Sequence, residues 1–171
     1  MMLMACDQSV RGFAIATAPT FWAGDWSLVR TSRCDGGPVK RGDDVGRRLR
    51  MERLFRWVDG QIAEANPNVV GFESYGYGSG ADYDVVELVG AVKLHCWRWQ
   101  KDTETINIGT ARKALLGFAR KKDVDIKDAV HSVLTDLCPW SIPTLDESDA
   151  LCILNSMIIA RGGLPLVPKD T

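Results

Sequence analysis

The sequence predicts an α/β domain with a mixed five-stranded sheet and helices on both of its faces. Three strand-like segments joined by tight connections come first, at residues 3–8, 12–18 and 26–32. Segments with helical and strand-like patterns then alternate up to a final helix. The first arrangement predicts an antiparallel meander, and the second predicts two strands that lie parallel to it with crossover helices.

Apolar periodicity gives approximate bounds for the remaining elements. Two further strands are predicted at 69–73 and 104–108. The helices are predicted at about 45–65, 82–99, 110–117, 126–137 and 147–161. The helix at 82–99 is apolar around most of its circumference, which is typical of a helix between other elements or in a subunit interface.

The composition is that of an ordinary soluble globular protein. With 171 residues, 46% hydrophobic and 25% charged, the chain suits a single domain over 1–171. No apolar run is long enough to span a membrane, and the first residues lack the basic region of a secretory signal, so we expect a cytoplasmic protein with no membrane partner. The five cysteines lack metal-binding spacing; we expect free thiols, with Cys6, Cys96 and Cys152 in the core.

Acidic residues occur at element ends where burial requires a compensating partner. Asp7 ends the first strand and Glu73 ends the fourth, while Asp146 and Asp149 lie on one face at the start of the last helix. No basic residue flanks Asp7 or Glu73 within its own strand, so a shared divalent cation is the natural partner. Ligation by oxygen atoms favours Mg²⁺, with Mn²⁺ as a substitute, over zinc.

Each acid also has an ordinary structural interpretation. Asp7 can accept backbone hydrogen bonds at a turn, and Glu73 can face water at a strand end. Asp146 can cap the last helix, with Glu147 as a further acid that complements the helix dipole. The set of acids, in this order and at these element ends, favours a catalytic site.

Basic residues are concentrated in two segments, although the net charge is -1. Residues 30–56 and 112–127 carry many arginines and lysines with acids between them. Phosphate contact and a solvated surface both remain open for each segment. The DNA contacts predicted in the second segment are Arg112, Lys113, Arg120, Lys121 and Lys122.

Taken together, these residues resemble the RuvC-type Holliday-junction resolvases of the RNase H-like superfamily. The matching motifs are ACDQSVRGFAIA with Asp7, VVGFESYGYG with Glu73, and DESDALCI with Asp146 and Asp149. Residues 107–134 resemble the family's basic region, a short helix and a lysine-bearing turn before another helix. The turn after Asp7 lacks the family's usual Asp-Pro-Gly, and the loop after Glu73 is rich in glycine and tyrosine, as in divergent or phage-type members.

The resemblance implies an RNase H-like fold and a crossover junction endodeoxyribonuclease active in DNA recombination and repair. Its acids would hold two metal ions, one activating a water and the other stabilising the leaving 3′ oxygen. A homodimer is expected because a four-way junction has near two-fold symmetry, with the helix at 82–99 as the interface. Tyr75 and Tyr77 would stack on bases exposed at the branch point, unless they pack under their own glycine-rich loop.

Other functions use some of the same features. A related nuclease acting on forked or flapped DNA, or on RNA–DNA hybrids, would need the same acids, and a non-catalytic DNA-binding module would share the fold. A sugar-kinase-like ATPase is excluded because 171 residues cannot hold its two duplicated halves. The glycine-rich GYGSGA also lacks the Gly-Lys-Ser/Thr ending of a P-loop. His95 and His131 are predicted to be packing or surface residues.

Overall fold

The computed structural model describes residues 1–9, 11–40, 42–74, 83–118, 122–142 and 144–168. In this part of the chain a sheet has the strand order β3-β2-β1-β4-β5. Its strands are β1 (Met2–Gln8), β2 (Gly12–Pro19), β3 (Arg30–Asp35), β4 (Val69–Glu73) and β5 (Asp102–Ile106). The first three pair antiparallel, and β1, β4 and β5 run parallel. The predicted combination of a meander with two parallel strands is therefore confirmed.

Helices cover both faces of the sheet, as predicted. They are α1 (Asp44–Ala65), α2 (Tyr83–Arg98), α3 (Ile108–Leu116), α4 (Ile126–Leu137) and α5 (Leu145–Ile159). One core cluster joins the sheet to α1 and α2, and the other joins it to α3, α4 and α5. Among the described residues, no helix is both long enough and apolar enough to cross a membrane.

Side-chain alternation along β1 assigns its residues to the two cores. Met4 and Cys6 belong to the cluster under α1 and α2, whereas Leu3 and Ala5 belong to the cluster under α5. Asp7 continues the second series, so its side chain is on the α5 side of the sheet. Because α5 is buried over most of its length, an acid near its start meets an acid at the end of β1 away from bulk water.

Two strands, β3 and β5, are shifted from their predicted bounds. The segment Trp26–Leu28, assigned to the third strand, forms a 3-10 turn whose N-cap Asp25 accepts a hydrogen bond from the Ser27 amide. Trp26 packs edge-on against Trp22 and Trp140, with ring centroids 5.4 Å and 5.7 Å away. Aromatic packing thus overrides the strand propensity of this segment, and β3 begins only at Arg30.

The fifth strand ends earlier than predicted because a helix cap follows it. The side chain of Asn107 accepts a hydrogen bond from the Thr110 amide at 3.1 Å. This contact starts α3 at Ile108, inside the segment assigned to the strand.

The cysteines and histidines lie where the sequence predicts. All five cysteines are free, and Cys6, Cys96 and Cys152 are buried. His95 packs edge-on against Phe55. His131 lies on α4 and shares a 2.8 Å hydrogen bond with Ser148 on α5, so it joins these two helices.

Candidate active site

Asp7 and Glu73 lie side by side at the carboxyl ends of two parallel strands. The register pairs Cys6 with Phe72, so the two acids follow directly after the last paired residues. The Gln8 side chain then holds the strands together: its Nε2 donates to the Glu73 carbonyl at 2.8 Å, and its Oε1 accepts from the Glu73 amide at 3.3 Å. Gln8 therefore fixes the spacing of the two acids.

The Asp7 carboxyl group is buried against other acids. Only 5% of Asp7 is exposed. Burial raises its pKa well above the ordinary value, and the hydrogen bond with Glu73 and the charges of Glu73 and Asp149 raise it further. Two neighbouring carboxyl groups cannot both ionise at low cost without a cation. This arrangement fits a divalent metal ion, which would neutralise both groups.

Asp149 is buried and held by two basic side chains. It is 1% exposed, and its carboxylate accepts from the Arg112 guanidinium of α3 at 2.8 to 3.1 Å. The Lys127 ammonium of α4 lies 3.1 Å from the same carboxylate. These contacts compensate the buried carboxylate of Asp149.

Lys127 lies within electrostatic reach of three acids. Burial by itself lowers the pKa of Lys127, but contact with Asp149 outweighs burial, so the pKa is raised. The charges of Asp7 and Asp146 act in the same direction. A cationic side chain thus occupies the space toward which these acids converge.

Asp146 does not cap α5, contrary to the simple structural interpretation of that residue. The N-cap is Thr144, whose hydroxyl oxygen accepts from the Glu147 amide at 3.2 Å and also lies 2.8 Å from the Glu147 carboxylate. The Thr144 hydroxyl donates to the Glu147 carboxylate and accepts from the Glu147 amide, so this cap accounts for Glu147. The Asp146 carboxylate instead accepts from Arg33 Nε at 3.0 Å.

The four predicted acids therefore gather at one end of the sheet, but basic side chains hold two of them. Within the described residues, no group of three or more acids, histidines or cysteines has the geometry of a preformed metal site. The donor set still consists of carboxylates, which suit hard cations such as Mg²⁺. Metal binding at all four acids would require Asp149 to rearrange its contacts with Arg112 and Lys127.

The structure describes only some of the predicted DNA contacts. Lys113 and Lys122 are exposed, whereas Arg112 is bonded to Asp149. Tyr75, Tyr77, Arg120 and Lys121 lie outside the described residues.

Three site residues were missed by the sequence analysis. Gln8, Arg33 and Lys127 contact Glu73, Asp146 and Asp149, respectively. Arg33 and Lys127 belong to the two basic segments, which was the available signal, but spacing along the chain did not indicate which acids they reach. A strand-end glutamine carries no sequence signal of its own.

The sheet order and the acids at its carboxyl end define an RNase H-like fold with an acidic site. Among solved structures, the chain is similar to Thermus thermophilus RuvC, with a TM-score of 0.66, 15% identity, and coverage of 95% of this chain and 97% of that chain. It is also similar to T. thermophilus RuvC in complex with a Holliday junction substrate, with a TM-score of 0.67, 14% identity, and coverage of 95% and 97%.

A viral protein shows the same likeness. The Fowlpox virus resolvase, in complex with substrate Holliday junction DNA, has a TM-score of 0.61 and 13% identity, with coverage of 94% of this chain and 98% of that chain. No protein-family model matches the sequence, and neither does a curated protein. The resemblance predicted from the motifs is thus confirmed at the level of the fold, which is the RuvC-type, RNase H-like fold.

Proposed function

We propose that the protein is a metal-dependent endonuclease that cleaves Holliday junctions or other branched DNA. The observation that carries this proposal is the pairing of the buried Asp7 carboxyl group with the partly buried Glu73, with Asp149 close enough to act on Asp7 electrostatically. The fold adds support, because the similar solved structures include a RuvC and a viral resolvase bound to Holliday junctions.

The acids would bind two Mg²⁺ ions, with Mn²⁺ as a substitute. Asp7 is the best candidate for a shared ligand because a central strand holds it rigidly. Glu73 and Asp149 would bind from either side of it, and Asp146 would complete the site. When bound, the ions supply activation of a water molecule and stabilisation of the leaving 3′ oxygen.

Arg112 and Lys127 would exchange their contacts with Asp149 for contacts with the DNA if Asp149 bound a metal ion. In the structure both side chains bind the Asp149 carboxylate and orient it. Once the acid binds metal, their positive charges are placed to attract the non-bridging oxygens of the scissile phosphate. The Arg112 side chain is only 13% exposed, so its electrostatic effect is stronger than that of a fully exposed side chain.

A homodimer through α2 would match the symmetry of a four-way junction. Val86, Leu94 and Trp97 are 47%, 50% and 77% exposed, and their spacing places them on one side of the helix, with Gly90 between them. A continuous apolar surface of this kind is typical of an interface.

Two further regions would contact the DNA. Lys113 on α3 and Lys122 in the connection between α3 and α4 are exposed, and with Arg120 and Lys121 they would neutralise backbone phosphates. Tyr75 and Tyr77 follow Glu73 directly and would stack on unpaired bases at the branch point.

One cleavage experiment tests the proposal against its alternatives. End-labelled four-way junction, fork, flap, linear duplex and RNA–DNA hybrid are incubated with the protein in Mg²⁺, in Mn²⁺ and in EDTA, and the cuts are mapped. We expect metal-dependent cuts with 5′ phosphates near the branch point. Preferential cutting of the hybrid would replace this function by a ribonuclease. Tight junction binding without any cut would indicate a DNA-binding module.

A further inference from the structure

A groove of about 540 Å³ lies at the carboxyl end of β3. Its charged lining consists of Arg11, Arg33, Arg50 and Asp35, and residues 37–39 also line it. Three guanidinium groups face one carboxylate, so the groove is positively charged. β3 runs in the same direction as β1, because both are antiparallel to β2. The groove therefore lies at the same end of the sheet as Asp7.

The walls of the groove are connected by backbone hydrogen bonds. Gly12 pairs with Asp35, which brings the end of β3 beside the β1–β2 turn. The Gly36 amide donates to the Arg11 carbonyl at 2.9 Å. The Asp35 carboxylate accepts from the amide of Gly37 at 2.8 Å, and Gly37 has a φ of 74°, which glycine adopts without strain. One carboxylate oxygen of Asp35 is thus occupied by the backbone of the loop that follows β3.

Arg50 provides a rigid basic wall with an unused hydrogen-bond donor. Its side chain is 13% exposed, and its Nη2 lies 3.1 Å from Asp84. Its Nε is buried and has no hydrogen-bond partner in the part of the chain that the structure describes. Buried donors are nearly always paired, so Arg50 keeps a hydrogen-bonding capacity that its contact with Asp84 does not use.

Arg33 connects the groove to the acidic site. It comes from the edge strand β3, lines the groove and donates to Asp146. A Cβ atom at residue 12 would collide with the Arg33 guanidinium, so Gly12 provides the space that this side chain crosses. Arg33 therefore extends from the groove to Asp146 of the acidic site.

We infer that this groove binds a phosphate of the DNA backbone beside the phosphate that is cut, an inference that rests on the proposed nuclease function. Arginine forks suit phosphate oxygens better than lysine does. Arg112 and Lys127 reach the acids from α3 and α4, which follow the opposite edge strand β5. A strand lying across the acids therefore meets cations on both sides. The contact is to the backbone and does not depend on base sequence.

Salt-dependent binding of a fluorescent four-way junction tests the groove. The experiment uses the full chain carrying Asp7→Asn, in EDTA, so that no cleavage occurs, and compares Arg11→Ala and Arg11→Glu with Arg56→Ala. Arg11 is exposed, so its loss leaves the fold intact. Arg56 is a matched control, because it is 76% exposed on α1, pairs only with Glu52 among the described residues and does not line the groove.

Arg11→Ala is expected to weaken junction binding several-fold at low salt and to reduce the slope of log affinity against log salt by about 0.9, the value for one lost phosphate contact. Arg11→Glu has a larger effect, and Arg56→Ala has none. Equal salt slopes for all variants would show that the groove does not bind a phosphate, and would leave the proposed nuclease function unaffected. Failure of the Asp7→Asn protein itself to bind any DNA would overturn both.

Discussion

Arg112 forks onto the carboxylate of Asp149, with Nη2 2.8 Å from Oδ2 and Nε 3.1 Å from Oδ1. Lys127 binds the same carboxylate from another helix. Asp149 is therefore the most strongly compensated of the four acids, whereas Asp7 faces Glu73 and is repelled by the charge of Asp149. Substitutions of Asp149 and of Asp7 are therefore expected to change the stability of the protein differently.

Arg112→Ala should destabilise the metal-free protein. It leaves the buried Asp149 with Lys127 as its remaining basic partner, and we expect a loss of about 2 kcal/mol in the free energy of unfolding, because a broken buried ion pair leaves a charge poorly compensated. Urea denaturation in EDTA measures the effect. Arg56→Ala, which breaks an exposed pair with Glu52, is the control and should cost less than about 1 kcal/mol. Equal stability of the two variants would contradict the importance of the fork.

Neutral substitution of the acids should abolish cleavage with different effects on stability. The sequence predicts that Asp7→Asn, Glu73→Gln and Asp149→Asn each remove most cleavage and leave the fold and DNA binding intact. The structure supports an intact fold for Asp7→Asn and Glu73→Gln. Each of these substitutions relieves like-charge repulsion, so the melting temperature of each variant should equal or exceed that of the wild type. Asp149→Asn should melt lower, since it breaks the contacts with Arg112 and Lys127. Near wild-type cleavage by Asp7→Asn in Mg²⁺ would exclude the site.

Divalent metal should stabilise the wild type through Asp7. At a Mn²⁺ concentration about 100 times the dissociation constant, binding to the folded state adds about 2.7 kcal/mol. Thermal unfolding with and without Mn²⁺ should therefore show a rise in melting temperature for the wild type and a much smaller rise for Asp7→Asn. Ca²⁺ serves as a second probe of the same oxygen ligands. An identical shift in both proteins would locate metal binding elsewhere.

Trp97→Lys should convert a dimer to a monomer. Trp97 is 77% exposed at the end of α2, and burying it in a partner would remove a large apolar side chain from water. Light scattering at micromolar concentration gives the mass. Phe21→Lys is the matched control, because Phe21 is equally exposed at 77% and lies away from α2 in the chain, and it should leave the mass unchanged. A wild type that is monomeric with and without junction would count against the interface.

Tyr75→Ala combined with Tyr77→Ala should lower cleavage of the junction relative to linear duplex. A base stacked on a tyrosine contributes about 1–3 kcal/mol, and fully paired duplex offers no free base face. Cleavage rates on both substrates and the melting temperature are measured together. If the double variant melts early, or cuts both substrates in the original ratio, the tyrosines are packing residues and branch selection depends on another feature.

Much of the fold follows from local patterns that need no tertiary information. The short apolar runs of β1 and β2 and the helical period of α4 are patterns that short stretches of chain already express. The errors have one distant and one local cause. Trp26 leaves a strand-like segment to pack on the distant Trp140, whereas the cap at Asn107 starts α3 early, so that β5 ends two residues before its predicted end.

The sequence by itself predicted that Asp7 and Glu73 end strands and belong to one acidic site, although their side-by-side position depends on the pairing of β1 with β4. It also determined that Asp146 and Asp149 would share a helical face. Only the tertiary structure decided which cations meet them. Arg33 and Asp146 are 113 residues apart in the chain, and no periodicity relates such positions. Their contact depends on how an edge strand and a buried helix pack across the sheet, and that packing is specified by the whole core.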